Sequence, residues 1–233
     1  MKKLKFKISE SSSVDTKLVP AKSMIPEWYK SSLPFMKGRS FNPFKGSKTT
    51  IKMCTPFFDS LATGYILPLW GDLFVSLDPE TGSQAFSFAS SQPNLINSRQ
   101  PEALQNFEIP KEYNQISLSI EHPLFLQTPK GYSVIISHPL NRLDLPFLAL
   151  TGIVDTDKEP LFNGSYAFLI KKDFEGMIPK GTPFLQIIPF KRENWKAEED
   201  KKVQTRGLYL QKIRTSVFYG WYRKTAWTRK QYD

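Results

Sequence analysis

One cysteine, Cys54, stands in 233 residues. Its solitude excludes an intrachain disulfide and a cysteine-based zinc centre, and it suits a reducing compartment. Free cysteine is among the most buried residue types, so Cys54 reads as a small core hydrophobe rather than a nucleophile. Histidine is almost as scarce, with His122 and His138 alone. No apolar run approaches the roughly 20 residues that a membrane helix needs, so no membrane partner is expected. Residues 1–13 begin with lysines but hold no apolar h-region, so no secretory signal is read there. Acidic residues are in deficit, 22 against 32 basic ones, which leaves a net charge of +10. Such a surplus favours an anionic partner: nucleic acid, a nucleotide or an acidic protein surface. The deficit is steepest from residue 201 onward, where nine Lys and Arg meet one acid, Asp233.

What is present points to strands. Eighteen prolines and eighteen phenylalanines argue for a loop-rich, strand-rich chain rather than a helical bundle. Lys2-Lys3-Leu4-Lys5-Phe6-Lys7-Ile8 alternates lysine with apolar residues, as an edge strand does; a flexible basic arm is the other reading. Ile25-Pro26-Glu27-Trp28-Tyr29-Lys30 predicts a short helix with proline in its first turn. Residues 31–48, with Lys37, Arg39, Lys45 and Lys48, read as a basic wrapping loop. Residues 56–65 suit a short turn or helix. Strands are predicted over 72–77, 86–88, 115–121, 132–136, 166–170 and 184–190 from period-two alternation and from β-branched and aromatic runs. In 115–121, Ile116, Leu118 and Ile120 alternate with Ser117, Ser119 and Glu121, the pattern of a half-buried strand. Pro-Lys recurs at 110, 129 and 179 just before strands. At 129 and 179, proline at the second turn position and glycine at the fourth would make type I turns. After Arg192 the pattern changes: Asn194 is placed to cap a helix, and Leu210, Ile213, Val217 and Trp221 recur at helical spacing. These boundaries divide the chain into a basic arm and wrapping segment (1–55), a β core (56–192) and a basic, aromatic, helical extension (193–233).

Three groups of residues could carry chemistry. Asp155 and Asp157 lie two apart; on one strand they would share a face and could hold Mg²⁺ or raise each other's pKa. A solvated strand end is the alternative. Arg142 is a phosphate clamp or the partner of Asp144. His122 and His138, each followed by Pro-Leu, would form a metal set with Asp144, Asp155 or Asp157. Their spacing matches no metal motif, however, so no metal site is assigned. Finally, Trp221, Tyr222, Arg223, Trp227 and Arg229 form an aromatic, basic run. It suits docking into a partner's groove, stacking on single-stranded nucleic acid, or packing on its own domain.

Gly152-Ile153-Val154-Asp155-Thr156-Asp157 resembles the third motif of the dUTPase and dCTP deaminase superfamily. Ile178-Pro179-Lys180-Gly181, with Gln186-Ile187-Ile188-Pro189 after it, is similar to the next motif, and Ala62-Thr63-Gly64-Tyr65-Ile66-Leu67 to the first. The resemblance covers about residues 61–190. It implies a mainly β (α+β) fold with a dUTPase-like, or β-clip, core, short helices and a helical extension. For activity it implies that Asp155 orients water, that Asp157 assists or binds Mg²⁺, and that Arg142, Lys180 and Gln186 hold phosphates. The family's sugar-stacking Tyr is replaced by Lys158-Glu159-Pro160. Its Arg-Ser phosphate motif is replaced by Ser137-His138-Pro139-Leu140-Asn141-Arg142, and its glycine-rich closing motif is absent. These departures favour kinship of fold without the hydrolase activity, and hence no cofactor.

The chain as a whole resembles a family of uncharacterised proteins encoded by tailed phages and some bacteria. The marks are Ile25-Pro26-Glu27-Trp28-Tyr29-Lys30, Cys54-x-Pro56-Phe57-x-Asp59, Gly64-Tyr65, Pro129-x-Gly131-Tyr132-Ser133, His138-Pro139-Leu140-Asn141-Arg142, Gly152-Ile153-Val154-Asp155-Thr156-Asp157 and Pro179-Lys180-Gly181-Thr182-Pro183. This second resemblance implies a phage or prophage origin and no known activity. Together with the departures from the nucleotide motifs and the long aromatic, basic arms, it leads to the expectation of a non-enzymatic phage-associated protein, a virion component or an accessory binding protein, in the virion or the host cytoplasm. Its partners would be other phage proteins or copies of itself, a trimer by analogy with the dUTPase fold. A diverged nucleotide pyrophosphatase or deaminase, and a single-stranded nucleic-acid-binding protein acting through its basic tail, are the alternatives.

Overall fold

In the computed structural model the described residues are 2–8, 16–37, 49–89, 96–99, 101–121, 124–158, 164–216 and 221–232. Strands β1 (Lys5–Ile8) and β2 (Val19–Pro20) precede the short helix α1 (Glu27–Ser31), and α2 (Thr55–Ala62) follows. Then come β3 (Tyr65–Pro68), β4 (Asp72–Leu77), β5 (Gln84–Ala89), β6 (Ile96–Arg99), β7 (Ser117–Glu121) and β8 (Leu124–Gln127). They are followed by β9 (Tyr132–Ser137), β10 (Phe147–Ala149), β11 (Gly152–Val154), β12 (Ser165–Ile170), β13 (Gly176–Ile178) and β14 (Pro183–Lys191). The helix α3 (Lys201–Ser216) and a π-helical turn (Tyr222–Ala226) come last. With 36% strand against 22% helix among the described residues, the class is mainly β.

Among the described residues all strand pairings are antiparallel. The largest sheet has the order β11-β9-β14-β3-β2, a second is β10-β12-β7-β6, a third is β13-β4-β5, and β1 pairs with β8. Few neighbours are consecutive in the chain, so residues far apart in sequence meet at strand ends. The two larger sheets meet through aromatic rings. Phe184 on β14 lies 5.4 Å from Phe147 on β10 and 5.3 Å from Phe168 on β12, with Trp70 at 6.1 Å. All three phenylalanines are fully buried. Truncating such a ring to alanine costs roughly 3–5 kcal/mol, so this cluster fixes how the sheets sit.

The predicted strands form, with two local differences. In β4, Leu73 and Val75 are buried while Phe74 and Ser76 face out, as the alternation requires. In β7, by contrast, Ser117, Leu118, Ser119 and Ile120 are all buried. Both faces of that strand are covered, and small serine side chains admit the second layer. The turns also differ. The N–H of Tyr132 donates to the carbonyl of Pro129, Thr182 to Pro179 and Tyr113 to Pro110. Proline is therefore the first turn residue, not the second. Gly131 and Gly181 occupy the third position with φ of +85° and +88°, the signature of a type II turn, which requires glycine there.

Residues near the start of the chain join this body. Leu18 lies in the core and Leu4 packs against it. Helix α1 begins after Pro26 and docks through buried Tyr29, while Trp28 keeps 38% of its surface exposed. Cys54 is exposed at the start of α2. The expectation of a buried core thiol is thus corrected: a cap position faces solvent, and Phe57, Phe58 and Leu61 fill the space beneath. Beyond Arg192 no regular element forms until α3, so Asn194 caps nothing. Asp200 does so instead, its Oδ1 accepting from Lys202 N–H at 2.8 Å, and three acids at 198–200 sit where the helix dipole favours them. Every described side chain of α3 is exposed, including Val203, Leu208, Tyr209 and Leu210.

Candidate functional site

The ends of three neighbouring strands build the most charged cluster. β9 lies between β11 and β14, so the residues after β11, at the start of β9 and after β14 converge. There the Arg192 guanidinium donates to Asp155 Oδ1 at 3.1 Å, to Asp157 Oδ1 at 3.1 Å, to Asp157 Oδ2, and to Ser133 Oγ at 2.8 Å. Ser133 Oγ–H in turn donates to Asp155 Oδ1 at 2.5 Å, and Gly131 N–H to Asp157 Oδ2 at 2.9 Å. The two carboxylates are not equivalent: the side chain of Asp155 is 59% exposed and that of Asp157 only 4%. β11 ends at Val154, so the two aspartates do not share a strand face. Hydrogen bonds from Arg192, then from Gly131, hold Asp157 down to about 2 from its ordinary 3.8. Ser133, then Arg192, lowers Asp155. Both carboxylates are anionic at neutral pH, and Asp157 is saturated with donors. Only Asp155 offers an oxygen to solvent.

The residues assigned to phosphate lie elsewhere. Gln186 is 1% exposed. Its Nε2 donates to the carbonyls of Ser60 at 3.0 Å and Thr63 at 2.7 Å, and its Oε1 accepts from Leu140 N–H at 2.7 Å. Every polar atom of that side chain is spent joining β14 to α2 and to the 138–142 turn. Arg142 pairs with Asp144 through Nε and Nη2, each at 2.9 Å. Arg142 and Gln186 line a shallow cleft with Met24, Leu61, Ile66 and Leu140, too small for a nucleotide. Gln186 pairs with Ser137 whereas Asp155 touches Ser133. That is four residues along β9, or about 13 Å at strand rise, so the carboxylates and the proposed phosphate groups sit at opposite ends of one strand. Lys180 is exposed, and its backbone N–H donates to Asp72 Oδ1 at 2.7 Å.

His138 is likewise engaged. Its Nε2 lies 3.0 Å from the Arg142 carbonyl, and Nδ1 lies 3.4 Å from Ala149 N–H. These partners define a neutral ring protonated on Nε2. Burial lowers its pKa below 6.5, more than the Arg142 carbonyl raises it. His122 lies outside the described residues. Among the described residues no group of three or more His, Cys, Asp or Glu is placed to hold a metal ion.

The residues assigned to partner binding divide in two. Trp227 Nε1–H donates to Asp59 Oδ2 at 2.9 Å, and Lys230 Nζ and Tyr232 Oη–H converge on the same carboxylate. The Tyr232 ring packs edge-on to Phe58, 6.1 Å between centroids. Residues 227–232 are therefore strapped to α2. Burial raises the Asp59 pKa, but Lys230, Tyr232 and Trp227 together outweigh it and leave it lowered. Tyr222, Arg223 and Arg229 are exposed, and Trp221 is half-buried. The described residues between 193 and 226 thus form an arm held at both ends, by Arg192 at the strand-end cluster and by Asp59 at α2. Sequence inspection missed both anchors. Asp59 lay within a quoted motif, but its partners are 168 to 173 residues away.

Among the described residues no helix is long and apolar enough to cross a membrane. Compared with known proteins, the chain matches no family model and no curated protein.

Proposed function

We propose that this chain is a non-enzymatic binding protein, phage-associated as a virion component or accessory factor, that engages its partner through the arm 193–226. The scaffold is read as dUTPase-like, or β-clip. The observation that carries the reading is the arm itself. A 16-residue helix exposes Val203, Leu208 and Tyr209 at 67%, 55% and 65%, yet both ends of the arm are fastened to the body. A merely loose segment has no need of two anchors, whereas a docking element gains affinity when its geometry is set in advance. The internal engagement of Gln186, Arg142 and Asp157 supports the non-enzymatic part, since each would have to give up a protein partner to take a nucleotide.

Two measurements test this. Mass spectrometry of purified particles of the encoding phage is expected to find the chain bound, and particles should lose it when Leu208→Asp and Leu210→Asp are introduced together. Retention of the variant refutes the arm as the docking element. Incubation with dUTP or dCTP and Mg²⁺ is expected to release no pyrophosphate and to leave the melting temperature unmoved. A ligand at about 100 times its Kd would add roughly 2.7 kcal/mol, so binding would be visible, and turnover would refute the non-enzymatic reading.

A further inference from the structure

The reading of the arm as the docking element leaves the chemistry of its partner open, and the inference here rests on that reading. Between residues 201 and 232 there are nine Lys and Arg and no Asp or Glu. Lys201, Lys202, Arg206, Arg223, Lys224 and Arg229 are exposed and form no ion pair among the described residues. Lys230 is spent on Asp59. Around α3, Lys201, Lys202 and Arg206 fall within an arc of about 140° with Tyr209 between them, while Val203, Leu208 and Leu210 are scattered over the rest of the circumference and form no single apolar stripe. A helix with no single apolar stripe is a poor seam for another helix or a lipid surface. A basic face with an aromatic ring set in it suits a flexible polyanion that lies along it. Two aromatic rings stand free within the basic run, Tyr209 at 65% and Tyr222 at 43% exposure. Trp195 is more exposed still, at 88%, but three acids, Glu193, Glu198 and Glu199, stand within four residues of it in the chain, and like charge disfavours a polyanion there.

We infer that the arm binds single-stranded nucleic acid, with Lys201, Lys202, Arg206, Arg223, Lys224 and Arg229 along the phosphates and Tyr209 and Tyr222 stacking on bases. The strap alters the assignment that sequence alone suggests. Trp227 and Tyr232 are used to fasten the arm, so they position the binding element and do not stack. Asp59 is then a positioning residue: its loss loosens the arm without removing a phosphate contact.

The test is fluorescence anisotropy with a labelled oligothymidine of about 20 nucleotides, a length that spans one to several such sites, and with a duplex of the same length. Six neutralised phosphates give a slope of log K against log salt of about −4, or about a 300-fold loss between roughly 50 and 200 mM salt. Lys201→Gln, Lys202→Gln and Arg206→Gln together should reduce the slope to about −2. Tyr209→Ala should weaken binding about 5- to 150-fold with the slope unchanged. Asp59→Asn should weaken binding with the slope unchanged. The side chains of residues 201, 202, 206 and 209 project from an exposed helix, so melting curves of these variants should match the parent and confirm folding. No binding at low salt, a slope indifferent to the triple substitution, or tighter binding of the duplex overturns the inference. Failure here with particle binding still lost in the Leu208→Asp, Leu210→Asp protein leaves the arm as a docking element for a protein. Failure of both removes the docking reading itself.

Discussion

Replacing Gln186 by leucine would separate the two roles its position suggests, phosphate holder and internal staple. The side chains are similar in volume, so the change leaves packing in β14 nearly intact and removes three hydrogen bonds. Three groups lose their partner: Leu140 N–H and the carbonyls of Ser60 and Thr63, at 2.7, 3.0 and 2.7 Å from the amide. Each buried group left unsatisfied costs about 1–3 kcal/mol. Two of the three are carbonyls, which tolerate loss better than an N–H, so a total of about 4 kcal/mol is expected. For a chain of this size that lowers Tm by about 8–16 °C. Urea unfolding followed by far-UV circular dichroism would give the free energy directly, with the slope unchanged if only stability moves. Gln186→Glu sharpens the test. A carboxylate there would face two carbonyls, so the folded state holds its proton more tightly than the unfolded one. The variant is then most stable below the unfolded glutamate pKa of about 4.3 and loses stability as pH rises above it. A loss below about 1 kcal/mol for Gln186→Leu, or a Gln186→Glu protein that follows the parent from acid to neutral pH, refutes the staple.

Three further outcomes are expected. Arg192→Leu should raise the Asp157 midpoint from about 2 toward 3.8, read by NMR titration of the carboxyl carbons. In the parent, the stability from this carboxylate is present above pH 3.8 and is lost as pH falls through about 2; an unmoved midpoint in the variant refutes Arg192 as the main cause. His138 is buried neutral with its pKa below 6.5, so its contribution is present above pH 6.5 and is lost as pH falls toward the folded value. A long-range ¹H–¹⁵N spectrum near pH 7 should show the neutral ring protonated on Nε2, and a predominant imidazolium signal there contradicts the assignment. Asp59→Ala should cost about 2 kcal/mol, because three donors lose one charged acceptor but can turn to water. Hydrogen exchange should rise across residues 221–232 and not in β9 or β14, and uniform acceleration would show that the strap is not a local device.

Local pattern was legible where a residue's fate depends on its neighbours in the chain. Pro26 ahead of Glu27, the alternation in β4 and the runs in β9, β12 and β14 each specify an element within a few residues. Pattern misled where one more partner was needed. The Pro-Lys-Gly turns were recognised, but the type follows from which carbonyl the closing N–H reaches, and that moved proline to the first position. Asn194 and Asp200 are both good caps; the acids at 198–200 beside the helix start favour the second. The serines of β7 looked like a solvent face, and their burial depends on a layer that no local signal reports.

Asp155 and Asp157 could be nominated from spacing, because Gly-x-x-Asp-x-Asp at a strand end is a local pattern. Arg192 could not, since it joins them only because β9 lies between β11 and β14. Composition alone establishes the basic charge, its concentration after residue 200 and the want of thiols, because these are sums over the chain. Which polar groups remain free is a different kind of quantity. Gln186, His138, Asp157 and Trp227 look equally available in the sequence, and all four are committed to partners 4 to 168 residues away along the chain. Hydrogen bonds saturate one donor and one acceptor at a time, and strand order decides which meet, so only the folded chain separates the side chains that hold it together from those left to bind.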